Sequence, residues 1–201
     1  HAIKPITTAE GGAIMTNDEE IYAFASKILN HGVIKGGAWE YDCTHSGFNF
    51  RLSEIGAALG LSQLTKIQSF LSKRGEIAKF YDEVFANNEF FDTMVRDSHI
   101  MSSHHLYPIF LCPDLAQRKK EIFTSLHKNG MLVQVHYRPI YQFSLYKQLC
   151  QKDFLVSKEV RECADRFYNA ELSIPCAQSM SMQDAKIVSE VIMEVFKSVA
   201  S

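Results

Sequence analysis

No apolar run in this chain of 201 residues approaches the roughly 20 residues that a helix needs to span a bilayer. Neither sign of charge dominates. Lys+Arg 21 stand against Asp+Glu 23, a net charge of −2, so no basic field offers nucleic acid a sequence-independent foothold. Cysteine is sparse and unpaired in pattern: Cys43, Cys112, Cys150, Cys163 and Cys176 are odd in number and widely spaced, with no C-x-x-C pair. That gives a zinc or thioredoxin-type site no support and points to separate reduced thiols in the core of a cytoplasmic protein. No G-x-S-x-G and no Cys/His motif is present, which removes the common hydrolase signatures. There is no internal repeat or low-complexity tract. Residue one is His1, not Met, with no secretory n-region or h-region after it. The chain is therefore expected to be part of something longer.

What is present is ordinary for a globular fold: 46% hydrophobic and 22% charged residues, which exclude disorder and fibrous repeats. Ala13-Ile14-Met15-Thr16 reads as a short strand, and Asn17 with Glu20 as a capping-box start. Ile21, Phe24, Ala25 and Ile28 then follow at helical spacing, closed by Gly32. Residues 31–50 show no clean period. Gly32, Gly36, Gly37 and Gly47 mark a long loop carrying Trp39, Tyr41, Phe48 and Phe50, too aromatic for a linker. Ser53 caps a helical stretch over 53–85, one long helix or two joined ones. Its Gly56, Ala57, Ala58 and Gly60 form a small-residue side. Glycines in a helix interior cost about 0.5–1 kcal/mol each, so close packing against a subunit or domain is expected there.

Beyond this, residues 105–111 read as a strand, with Pro108 arguing for an edge or a bulge. Asp114 caps a helix bearing Leu115, Ile122, Phe123 and Leu126, closed by Gly130; residues 131–135 form a second strand. Ser157 opens another helix, and Ser181 with Asp184 opens the last. Strands interleaved with helices give an α/β layered fold.

Lys4 stands among Ile3, Pro5 and Ile6, followed by Thr7, Thr8 and a Glu10-Gly11-Gly12 turn in which Glu10 reads as structural. On composition it is a solvated surface charge. In its apolar setting it is a candidate Schiff-base nucleophile, because desolvation favours the neutral amine.

Here the chain resembles a family. His1-x-x-Lys4 with Glu10-Gly11-Gly12-Ala13 and Thr16-Asn17-Asp18 is similar to the cofactor-lysine segment of the DegT/StrS sugar aminotransferases. Gly47-Phe48-Asn49-Phe50-Arg51 through Ala57-Ala58-Leu59-Gly60 and Gln63-Leu64 resembles that family's G-x-N-x-R followed by A-A-x-G-x-x-Q-L. Val135-His136-Tyr137-Arg138-Pro139 and Ala170-Glu171-Leu172-Ser173-Ile174-Pro175 continue the likeness in order. A finer resemblance, carried by residues 1–12 and Tyr41-Asp42-Cys43, is to members that aminate UDP-linked 4-keto-6-deoxy sugars.

The resemblance implies a remnant of the fold-type I pyridoxal-phosphate large domain over 1–52 and a small C-terminal α/β domain with long helices over 53–201. It implies transamination from L-glutamate to a keto group of a nucleotide-linked deoxy sugar, for surface polysaccharide or glycan biosynthesis, by a cytoplasmic homodimer with shared active sites and no nucleic-acid or membrane partner. Lys4 matches the lysine that holds pyridoxal 5'-phosphate and moves the proton. A minority of relatives carry histidine there and act as dehydratases, so Lys4 favours amino transfer. Asn49 matches a residue reaching the cofactor phosphate of the neighbouring subunit; otherwise it is a turn asparagine. Arg51 either supports the phosphate or clamps an acid, or else pairs with Glu54. His136 and Tyr137 either line the substrate pocket or form a stacked structural pair. The family's upstream cofactor-binding half is expected to supply the acid for the ring nitrogen, so this chain alone is expected to be inactive. The competing reading is a folded dimerisation or structural module without catalysis.

Overall fold

The computed structural model describes residues 3–97, 99–149 and 157–201. His1 and Cys150, both used above, lie outside them. The chain divides into two compact units, His1–Ile67 and Gln68–Ser201. The units therefore part after residue 67, inside the helical stretch, whereas the boundary expected from sequence follows residue 52.

In the first unit, α1 (Glu19–Leu29) starts one residue later than the sequence suggested. Asp18, not Asn17, is its N-cap, accepting from the Glu20 and Ile21 amides at 2.8 and 3.0 Å. Residues 13–16 form no strand. The glycine-rich stretch contains a short antiparallel hairpin, β1 (Val33–Lys35) paired with β2 (Tyr41–Cys43) through Val33↔Cys43 and Lys35↔Tyr41. Three-residue strands are too short to print a period. Gly32 has φ +72, and a Cβ there would collide with the His45 backbone, so two chain segments touch where only glycine fits. The helical stretch is two helices, α2 (Glu54–Leu64), capped by Ser53, and α3 (Ile67–Val84).

The second unit holds a three-stranded antiparallel sheet in the order β3 (Phe91–Thr93), β4 (Tyr107–Leu111), β5 (Glu171–Ile174). Around it lie α4 (Pro113–Ala116), α5 (Lys119–Lys128), a 3-10 turn (Ile140–Gln142), α6 (Ser144–Leu149), α7 (Lys158–Ala170) and α8 (Met182–Ala200). The helix expected after residue 112 is thus split. Cys112 caps its first piece, and Asp114 sits within the first turn. Alternate residues of β4 divide between two faces. Tyr107, Ile109 and Leu111 join the core with Ile77, Tyr81 and Phe85 of α3, Ile122 and Leu126 of α5, and Ile192 and Phe196 of α8. Phe110 turns the other way, against Phe167 of α7 with ring centroids 5.2 Å apart.

Residues 131–135 form no strand; Gln134 alone bridges to Ser173. β4 is central, so Pro108 is not on an edge strand. Ser173 exchanges both backbone bonds with Gln134, at 3.1 and 2.8 Å, so the Pro108 nitrogen facing it across the β4–β5 pair points instead toward β3. β3 ends at Thr93, opposite Ile109, and no ladder bond is lost at the proline. Of the described cysteines Cys43, Cys112, Cys163 and Cys176 are free thiols, and only Cys176 is buried, which corrects the expectation of core thiols. Among the described residues no helix is long and apolar enough to cross a membrane, and no group of three metal-ligating side chains forms.

Candidate functional site

The residues singled out by sequence fall into the two units. In the first, Lys4 is exposed, so the described residues do not bury it as a desolvated amine would require. The segment that follows is seated on α2. A Cβ at Gly56 would lie 3.3 Å from the Thr8 carbonyl oxygen and 3.1 Å from Leu52 Cδ1; one at Gly60 would lie 3.0 Å from Thr8 Cγ2. The small-residue side of α2 is therefore occupied by this chain's own stretch after Lys4. Sequence alone gave it to a subunit or domain interface, because the spacing of glycines shows that something approaches and not what.

Asn49 and Arg51 are brought together. The backbone of residues 48–50 closes the end of α1: the Phe48 and Phe50 amides donate to the Ile28 and Leu29 carbonyls at 2.8 and 3.0 Å, and Asn49 bridges Asn30. These are carbonyls that the last helical turn leaves unpaired. Arg51 Nε donates to Asn49 Oδ1 at 3.0 Å, so Arg51 turns back to the asparagine and not forward to Glu54. Beside the engaged Oδ1, the amide offers its NH2 as a donor. The guanidinium keeps further N–H donors on its terminal nitrogens. Both side chains are exposed, and together they make a donor set suited to an anion.

In the second unit, His136 is half-buried and Tyr137 is 66% exposed, with their rings edge to face at 4.6 Å. The His136 backbone N–H donates to Glu171 Oε2 at 2.8 Å. Its Nδ1 lies 2.8 Å from Ser173 Oγ, which in turn donates to Glu171 Oε1 at 2.6 Å. Glu171 is 1% and Ser173 5% exposed. Lys119 donates to the Tyr168 carbonyl close by; burial pushes its ammonium pKa down, and the charge of Glu171 opposes that. Sequence reading left Glu171 and Ser173 without a role. The available signal was their alternation with Leu172 and Ile174, which puts two polar groups on one face of a strand that is buried on both.

The family profile of the DegT/DnrJ/EryC1/StrS aminotransferases matches residues 1–193. The chain belongs to that family. It is 44% identical over 200 residues to the UDP-4-amino-4,6-dideoxy-N-acetyl-beta-L-altrosamine transaminase of Campylobacter jejuni, a match covering 99% of this chain and 51% of that protein. Among solved structures, Helicobacter pylori PseC, an aminotransferase of pseudaminic acid biosynthesis, superposes with a TM-score of 0.88 at 42% identity over 98% of this chain and 52% of that one. The PLP form of Spr1654 from Streptococcus pneumoniae gives 0.83 at 28% identity, covering 99% and 50%. The chain thus spans about half the length of the curated relatives it matches. Members of the family depend in general on pyridoxal phosphate, and the paired donors of Asn49 and Arg51 fit a phosphate-bearing group.

Proposed function

We propose that this chain works as the lysine-bearing part of a pyridoxal-phosphate transaminase that moves an amino group from L-glutamate to the keto group of a UDP-linked deoxy sugar destined for surface polysaccharide or glycan. The observation that carries this is the 44% identity, over nearly the whole chain, to a UDP-sugar transaminase. Bound pyridoxal phosphate supplies the electron sink. Lys4 Nζ anchors that group and takes and returns the proton as a general base. Asn49 and Arg51 hold the phosphate through the donors described above. His136 and Tyr137 bind the sugar.

The active sites are shared in a homodimer, Asn49 serving the neighbouring subunit. Two experiments on the full-length protein test the reading. Borohydride reduction after cofactor loading should leave the pyridoxyl group on the peptide containing Lys4, and a label on Lys66 or Lys79 would defeat the assignment. Mixing Lys4→Ala with Asn49→Ala subunits should restore amino transfer from glutamate to a UDP-4-keto-6-deoxy sugar, since each heterodimer regains one intact site. No gain on mixing argues against shared sites.

A further inference from the structure

The register of β5 fixes where its polar residues go. Leu172 and Ile174 oppose Ile109 and Tyr107 and enter the core, so Glu171 and Ser173, opposite Phe110 and Pro108, share the other face. There they meet His136 in a chain of hydrogen bonds whose direction is determined. A backbone N–H can only donate, so Glu171 Oε2 accepts from His136 at 2.8 Å. The Ser173 hydroxyl is the donor to the carboxylate's other oxygen. Ser173 therefore spends its one hydroxyl proton on Oε1, at 2.6 Å. Toward His136 Nδ1, 2.8 Å away, the same hydroxyl oxygen can then only accept, so Nδ1 must carry a proton. Among the described residues no hydrogen bond engages Nε2.

We propose that Glu171 and Ser173 are positioning residues that fix His136 in the Nδ1–H tautomer, so that its Nε2 meets the sugar as a hydrogen-bond acceptor. An acceptor selects a hydroxyl or an amide N–H. It refuses ionised phosphate and carboxylate oxygens, which have no proton to give. His136 then reads hydroxyl or amide groups of the sugar and not the oxygens of the diphosphate. The substrate half of this statement rests on the transaminase reading above; the tautomer half does not.

Long-range proton–nitrogen correlation on the histidine-labelled chain at about pH 8, where an ordinary imidazole is neutral, reads the tautomer directly. A His136→Gln sample assigns the signal. The wild type should show a protonated Nδ1 and a bare Nε2. In Glu171→Gln the amide oxygen keeps the His136 N–H and the amide NH2 donates to Ser173, whose proton then turns to Nδ1. The imidazole proton should move to Nε2, a reversal that a purely structural role for Glu171 does not produce. A wild-type proton on Nε2, or a folded Glu171→Gln with the wild-type pattern, overturns the proposal; should that variant fail to fold, the wild-type spectrum decides. No cofactor or sugar enters this measurement, so it stands or fails apart from the transaminase reading. The substrate half is read in the full-length protein. Ser173→Ala should raise KM for the sugar about tenfold, roughly one hydrogen bond, with kcat and the KM for glutamate unchanged. An unchanged sugar KM in a folded Ser173→Ala variant overturns it.

Discussion

Arg74 on α3 is 3% exposed, and carbonyls and an amide answer its charge where a carboxylate would be usual. Nε donates to Gln178 Oε1 at 2.7 Å, and Nη1 to the His104 and His105 carbonyls at 3.1 Å and to that of Cys176. Burial pushes the guanidinium pKa down, and Cys176 opposes that shift. One side chain thus pins the approach to β4 and the exit from β5, helped by Tyr81, whose hydroxyl donates to the Pro175 carbonyl at 2.9 Å. Arg74→Met should destabilise the chain by more than about 3 kcal/mol in urea unfolding, because several buried carbonyls lose their donor together. Arg74→Lys should recover only part of this, since an ammonium cannot reproduce the planar fork. A Met variant within about 1 kcal/mol of wild type would show that those carbonyls find other donors.

Helix ends were the most legible elements. Ser53 and Ser157 cap α2 and α7, and Ser181 with Asp184 forms a complete capping box on α8. These caps depend on neighbours within four residues, which the sequence displays. The glycine face of α2 was legible as a close approach, while its occupant, the stretch around Thr8, was not. Gly56→Val should force that stretch off α2, since even a Cβ there would be only 3.1 Å from Leu52 and 3.3 Å from Thr8. Amide hydrogen exchange in residues 3–12 should then speed up at least tenfold, a loss of more than about 1.4 kcal/mol of local protection. Gly12→Ala, where nothing lies within 4 Å of the added carbon, should leave exchange as it was. Equal exchange in Gly56→Val and wild type would mean that α2 does not hold the segment.

At the scale of the whole chain, the hydrophobic core belongs to one unit. Every residue of the core cluster lies between Ile77 and Val199, whereas in the described part of the first unit only Gly32 and Gly56 are buried. Met15 is 91%, Ile55 84% and Trp39 83% exposed in a unit that also carries the candidate cofactor residues. Burying a phosphorylated ring demands partners for nearly all its polar atoms, at about 1–3 kcal/mol for each left unpaired. Exposed Lys4, Asn49 and Arg51 do not meet that demand. The purified 201-residue chain should therefore unfold cooperatively through its second unit, retain no coloured cofactor after gel filtration, and transfer no amino group from glutamate to a UDP-keto sugar. Measurable turnover by the chain, free of any co-purified partner, would show that the site is complete within it.

The sequence by itself determined features written in short-range order: the serine caps at Ser53, Ser157 and Ser181 and the apolar spacing of the helices. It also determined the family, because several motifs in a fixed order are specific where any one of them is weak. Only the tertiary structure decided what meets across distance. The hairpin at Val33–Lys35 and Tyr41–Cys43 had strands too short for a period, and Pro108 looked like an edge or bulge residue until the early end of β3 gave it an unpaired side. Nor does any local pattern bring His136 to Ser173 and Glu171. Those residues are far apart in sequence, and only the antiparallel register of β5 beside Gln134 places the imidazole over the hydroxyl and the carboxylate.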